Sequence, residues 1–270
     1  MTKVKLVAGI AIAIATLGAA AVYFGVYDVS ATDEHLRPTY WLLRVGMLRS
    51  VAVRARKVEV PPLGAEAQVR RGLGLYREHC LRCHGAPGVA PEPFALGMTP
   101  VPENLVYAAR TWQPAEIFWA AKNGIKMTGM PAWQYRLTEE ELWAIVAFVM
   151  RLPGLSPTQY RALRSPRVPP AAQAVPPAPD LERGKKAIHQ YGSVTCHSVP
   201  GVVGSHAPVG PPLDRIASRS FIAGVLVNTS VNMARWLQSP QAVKPGTAMP
   251  DLAVSARDAK DMAAYLETLN

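Results

Sequence analysis

Cys80-Leu81-Arg82-Cys83-His84 follows directly on an apolar-periodic stretch from Ala65 to His79, and these five residues decide how the rest of the chain reads. Two thiols three residues apart, followed at once by an imidazole, make the C-x-x-C-H pattern of covalent haem attachment. Each thiol can bond a vinyl group on one edge of a porphyrin, and the imidazole of His84 is then brought beneath the iron as an axial ligand. A sixth ligand has to come from later in the chain. A zinc site would want four Cys or His ligands, and although His79 and His84 could contribute, no second Cys pair accompanies Cys80 and Cys83. A thioredoxin-like pair would want a βαβ setting, which the periodicity does not provide.

Downstream, Gly129-Met130-Pro131 is the best source of that ligand, because Ala248-Met249-Pro250 repeats the Met-Pro pair at a matching place behind a second, altered motif. A thioether is a soft, neutral ligand that favours reduced iron and raises the potential. Met98 and Met127 compete with Met130, but neither precedes a proline or has a counterpart in the second half. The second motif is Ser193-Val194-Thr195-Cys196-His197, with serine where the first thiol belongs. Serine forms no thioether, so this half either has lost its haem and serves as a binding domain or holds one through Cys196 alone, with His197 and Met249 as iron ligands. The intact remainder of the motif favours the second. His35, His189 and His206 have no partner motif and read as ordinary surface or structural residues.

Around these motifs the chain divides readily. Residues Leu6 to Val26 carry no charge, close to the roughly 20 residues that cross a hydrocarbon core. The apolar run continues past Ala19-Ala20-Ala21, the plausible cleavage site, which favours a retained anchor over 1–27. Lys3 and Lys5 before the run balance Arg37 and Arg44 after it, so loop charge does not orient it. In the juxtamembrane segment 28–61, Trp41, Val45, Leu48 and Ala52 fall at helical spacing among Arg37, Arg44, Arg49 and Arg54, which suits either a helix at a membrane surface or one docked on a partner subunit. Eight prolines between Pro153 and Asp180 make 153–179 a linker. It separates two segments, 62–152 and 180–270, which read as copies of one module. Each opens with a helix (Ala65 to His79; Leu181 to Tyr191) and closes with another (Thr138 to Leu152; Ser255 to Leu269). Thr138 with Glu141 and Ser255 with Asp258 supply the N-terminal signals. No stretch between them alternates as a strand would, so the expected class is all-α.

The net charge of +10 and pI near 9.7 suit nucleic acid, an anionic membrane or an acidic protein equally, and do not choose. Three cysteines, one pair of them tight, argue against a disulfide framework.

Both segments resemble class I cytochrome c domains, which fold as short helices around one haem. The first does so through Cys80 to His84, Gly129-Met130-Pro131-Ala132-Trp133 and the closing Trp143 to Phe148 helix. The second, through Gly210-Pro211-Pro212-Leu213 and Gly246 to Leu252, is similar to the cytochrome c domain fused to subunit II of caa-type haem-copper oxidases. The resemblance implies two haem c groups held by Cys80, Cys83, His84 and Met130 and by Cys196, His197 and Met249, with the Pro211 carbonyl accepting the second imidazole N–H of His197. It also implies export: a single-pass protein of the bacterial inner membrane with its modules in the periplasm. Such a protein would pass single electrons between respiratory complexes, to or within a terminal oxidase, and would have no nucleic acid or small-molecule substrate. The haem subunit of a periplasmic dehydrogenase is the alternative. A peroxidase would need an open iron site, which Met130 and Met249 would close.

Overall fold

The computed structural model describes residues 2–33, 35–163, 178–204 and 209–270, which fall into two compact units, 1–169 and 170–270. Residues 164–177 of the expected linker and His206 lie outside the described residues. The linker does not begin at Pro153 as expected: 153–163 continues the first module, with Tyr160 buried in its core and Arg77 donating to the Leu163 carbonyl at 3.0 Å, because proline at the first turn of a short helix does not prevent it from packing.

The uncharged N-terminal run forms α1 (Thr2–Tyr23), a helix of 22 residues. At 1.5 Å per residue it reaches about 33 Å, enough for a hydrocarbon core of about 30 Å. Its stretch Lys3–Tyr23 has a mean hydropathy of 2.2 and none of it is buried, so it is long and apolar enough to cross a membrane. α2 (Arg37–Ala55) carries Pro38 in its first turn, where the fixed φ of proline suits a helix start.

The first module follows as α3 (Glu66–His79), α4 (Leu81–His84), α5 (Pro93–Leu96), α6 (Leu105–Thr111), α7 (Pro114–Asn123), α8 (Glu139–Val149) and α9 (Pro157–Ala162). α8 begins as its sequence demands: Thr138 Oγ1 accepts from the Glu141 amide at 3.2 Å, and Glu141 Oε2 accepts from the Thr138 amide at 2.9 Å. Leu142 to Val149 are then buried on every side, because α8 is the central helix of the core. α3 crosses it at Gly72, where a Cβ would lie 1.9 Å from the Ala144 carbonyl oxygen. Only a hydrogen side chain lets the two backbones approach that closely. Tyr76, Phe148, Leu142 and Leu152 fill the space beside the crossing, each contributing roughly 1.5–3 kcal/mol by full burial. At the rim Arg71 bonds Glu140 at 3.0 Å and the buried Glu141 at 3.2 Å.

The second unit contains α10 (Leu181–Gln190), the hairpin strands β1 (Phe221–Ile222) and β2 (Leu226–Val227), α11 (Ser230–Gln238), α12 (Pro240–Val243) and α13 (Ala256–Glu267). β1 and β2 pair antiparallel, Phe221 opposite Val227 and Ile222 opposite Leu226. Strands of two residues are too short to show alternation, which is why the sequence reads as helix and loop throughout. The helix crossing is made again: α10 meets α13 at Gly184, whose Cβ would lie 2.0 Å from the Asp261 carbonyl oxygen. Arg183 reaches Asp258 at 3.2 Å and Asp261 at 2.9 Å, and Tyr191 Oη donates to Asp258 at 2.9 Å. Both carboxylates are buried, so losing Arg183 would strand two buried charges. The dipeptides Arg71-Gly72 and Arg183-Gly184 are thus one device used twice, a repeat that helical periodicity alone does not bring out.

α2 departs from its expected stripe. Val51 and Ala55 are its buried residues and Leu48 and Ala52 are half-buried, as its second half packs on α7. Trp41 and Val45, expected on the same covered face, are exposed. The stripe continues along the helix, but the module beneath it stops.

Candidate haem-binding sites

In the first module α3 ends at Cys80, and α4 turns Cys83 and His84 onto the same short helix. Gly85, with φ 62°, ends that turn, and Tyr76 Oη donates to its carbonyl at 2.5 Å. A Cβ on Gly85 would meet the Val89 carbonyl oxygen at 2.6 Å, so glycine is needed for both its dihedral and its close contact. Arg82 grips Glu92 with two bonds of 2.9 Å, holding the loop that follows.

His84 Nδ1 lies 2.7 Å from the backbone carbonyl oxygen of Glu103. A carbonyl only accepts, so Nδ1 carries the proton and Nε2 is left bare, the form an iron ligand must have. Burial pushes the His84 pKa down against the pull of that bond, which also favours the neutral ring. The Cys80 thiol, buried against the core, is pushed up to about 12, chiefly by burial and further by Cys83. A buried thiol held neutral makes a poor redox nucleophile, whereas a thioether needs no charge. Among the described residues no three His, Cys, Asp or Glu side chains gather as a zinc site would require.

The Met130 loop is folded back on α7. Gly124, at φ 67°, lies so close that a Cβ would touch the Met130 carbonyl oxygen and the Ala132 nitrogen at 2.8 Å. The Met130 amide donates to Thr128 Oγ1 at 3.1 Å. The two competing methionines part company here. Met127 is 97% exposed, whereas the Met98 sulfur would lie 2.6 Å from a Cβ on Gly129, beside Met130 itself. His79 stands 5.0 Å from the ring of Trp133, tying the end of α3 to the same loop.

The second unit builds a parallel arrangement. Gly192, at φ 69°, opens a turn through Ser193–Thr195 that leads into Cys196 and His197. His197 Nδ1 lies 2.8 Å from the Pro211 carbonyl oxygen, so here too Nε2 is the free nitrogen. Gly210 flanks the ring: a Cβ there would meet His197 Cε1 at 2.4 Å and Nδ1 at 2.6 Å. The Met249 amide faces Thr247 Oγ1 at 3.4 Å, as Met130 faces Thr128. Gln241 donates to the carbonyls of Thr247 at 2.8 Å and Met249 at 2.9 Å, and so shapes that loop from α12. Thr128-x-Met130-Pro131 and Thr247-x-Met249-Pro250 are therefore one motif of four, of which the Met-Pro pair is only part. Glu103 and Gln241 escape sequence reasoning because each acts through a backbone oxygen or on one. His35, by contrast, bonds Tyr27 at 2.7 Å, and His189 is exposed.

Two thiols and a tautomer-fixed imidazole on one turn are the groups that a c-type cytochrome domain would use to hold haem. Residues 67–149, from α3 to the end of α8, match the family model described as cytochrome C oxidase, cbb3-type, subunit III, which supports a c-type cytochrome domain over that stretch, with the haem c and electron transfer that such a domain implies. No curated protein matches the chain. Among solved structures, a chain of the reducing HAO-like protein complex of Kuenenia stuttgartiensis is similar over 78% of this chain and 99% of its own, at 18% identity and a TM-score of 0.29. That likeness is too slight to bear on fold or function.

Proposed function

We propose that the chain is a membrane-tethered dihaem cytochrome c that passes single electrons between respiratory complexes in the bacterial periplasm, to or within a terminal oxidase, and carries out no substrate chemistry itself. The observation that carries this reading is the repeated pairing of a Cys-His step with a backbone acceptor: His84 with Glu103 and His197 with Pro211, at 2.7 and 2.8 Å. Bound haem would supply a one-electron Fe(III)/Fe(II) couple. In the first module Cys80 and Cys83 would hold it covalently, with His84 Nε2 and Met130 on its two faces. In the second, Cys196 would form a single thioether, with His197 and Met249 as ligands.

The tandem reading predicts two irons per chain. A haem with one unreacted vinyl group has a longer conjugated system than one with two thioethers, so the reduced alkaline pyridine spectrum should be composite, with one component shifted to the red. One iron per chain and a single unshifted band would leave the second unit as a haem-free docking domain.

Retention of α1 follows from the apolar run passing its only plausible cleavage site, and intact mass of the mature protein checks it: a chain starting at Val22 would mean a removed signal. Purified in mild detergent, the protein should bring down a copper-containing oxidase. A cofactor-bearing dehydrogenase in its place would give the alternative assignment.

A further inference from the structure

We propose that the first half of α2, residues 37–46, lies in the headgroup layer of an anionic bilayer while its second half is built into the first module, so that this module is held against the membrane surface and does not swing on a tether. The inference builds on the anchor reading of α1 but is tested separately from it.

α2 contains no acidic residue. It carries Arg37, Arg44, Arg49 and Arg54, and Arg56 and Lys57 follow it. Its first half also leaves Tyr40, Trp41, Leu42 and Leu43 exposed at 53%, 65%, 63% and 55%. Four successive large apolar side chains on one turn of helix are costly to leave in water. They also surround the axis: at 100° per residue, Trp41 points along the face that Leu48 and Ala52 continue, and Leu43 points nearly opposite. A partner groove would cover one stripe of such a helix, whereas the headgroup layer covers most of its circumference and supplies phosphates to the arginines. Aromatic rings interleaved with arginines are the composition found at that depth. Continuity makes the same choice, since a helix able to span a membrane ends at Tyr23, only a short connection before Arg37.

The second half cannot be in lipid, because Val51 and Ala55 are buried where α2 packs on α7. The connection is tied down as well: Thr99 Oγ1 donates to the Ala31 carbonyl at 2.8 Å, fixing the stretch before α2 to the loop that leads to Glu103. One continuous helix therefore belongs to the bilayer at one end and to the haem module at the other.

The test uses the full-length holoprotein in nanodiscs of mixed phosphatidylglycerol and phosphatidylcholine, with a nitroxide label at Leu42→Cys. Reference labels are placed at Leu17→Cys in α1 and at Val231→Cys, which is 78% exposed in the second unit. Collision with dissolved oxygen reports lipid, and collision with a water-soluble nickel chelate reports solvent. The label at 42 should favour oxygen, as the one at 17 does, and the label at 231 should favour nickel. Changing Arg37, Arg44 and Arg49 to Gln should move the label at 42 toward nickel. If 42 behaves like 231 while 17 stays in lipid, the anchor stands and this proposal fails. Protection of 42 from both reagents would mean a protein occupant and would also overturn it. If the mature chain lacks Leu17, the anchor reading falls, and the label at 42 on phosphatidylglycerol vesicles still decides the role of α2.

Discussion

Replacing the proposed ligand Met130 with Ala should lower the potential of the first module's haem by a substantial part of the roughly 0.8 V range that axial ligands command, and should abolish that haem's share of the weak sulfur-to-iron absorption at the red edge of the visible spectrum. The thioether is the ligand that favours ferrous iron, so its loss stabilises the ferric state. Redox titration followed in the visible band checks the result. Met127→Ala is the control. Its side chain is 97% exposed, at the tip of a loop where φ is 61°, and its loss should change nothing. Met98 is the sharper comparison, because it lies against Gly129 next to Met130. If Met98→Ala drops the potential and Met130→Ala does not, the sixth ligand comes from the loop after α5 and the Met130 assignment is wrong.

Gly72→Ala should destabilise the first module by about 3 kcal/mol or more, at or beyond the upper end of overpacking costs. For a domain of this size that is a fall in Tm of roughly 12–24 °C, measured by calorimetry on the holoprotein. The added methyl would sit 1.9 Å from the Ala144 carbonyl oxygen and 2.6 Å from its carbon. Those are backbone atoms of the central core helix, so no rotamer change relieves the clash and α3 has to move away from α8. Gly184→Ala should do the same to the second unit through Asp261. Gly46, inside α2 with nothing within 4 Å of its Cβ position, is the matched control. There alanine should be neutral or stabilising by roughly 0.5–1 kcal/mol, because it is the better helix former and meets no obstacle. An unchanged Tm for Gly72→Ala would mean that α3 and α8 have room to separate at their crossing without loss of core packing.

These experiments also mark where sequence reasoning stops. Cys80, Cys83 and His84 are legible because the haem attachment proposed for them is a local requirement: two bonds and a ligand within five residues leave no freedom in spacing. The opening and closing helices are legible for the same kind of reason, since caps such as Thr138 with Glu141 and Ser255 with Asp258 act over a single turn. Even there the ends move slightly: the helix expected over Thr138 to Leu152 runs as α8 to Val149, followed by a 3-10 turn over Leu152–Gly154. The short hairpin at Phe221–Val227 leaves no signal in the sequence, because strands of two residues carry no period.

The amino-acid sequence by itself determined the Cys-x-x-Cys-His motif, its altered second copy, the mostly helical character and the apolar N-terminal helix, all of them properties of neighbours along the chain. Only the tertiary structure decided what depends on distant partners. It selected Glu103 as the carbonyl that sets the His84 tautomer, whereas the family resemblance already implies Pro211 for His197, and it selected Gln241 as the side chain that shapes the Met249 loop. It separated exposed Met127 from Met98, which packs on the Met130 loop. It also divided α2 between a buried half and an exposed half, although both halves carry the same apolar stripe. The physical reason is the same in each case: a backbone oxygen looks alike at every position in a sequence, and a stripe does not say how far the surface it meets extends, so direction and burial exist only once the chain has folded back on itself.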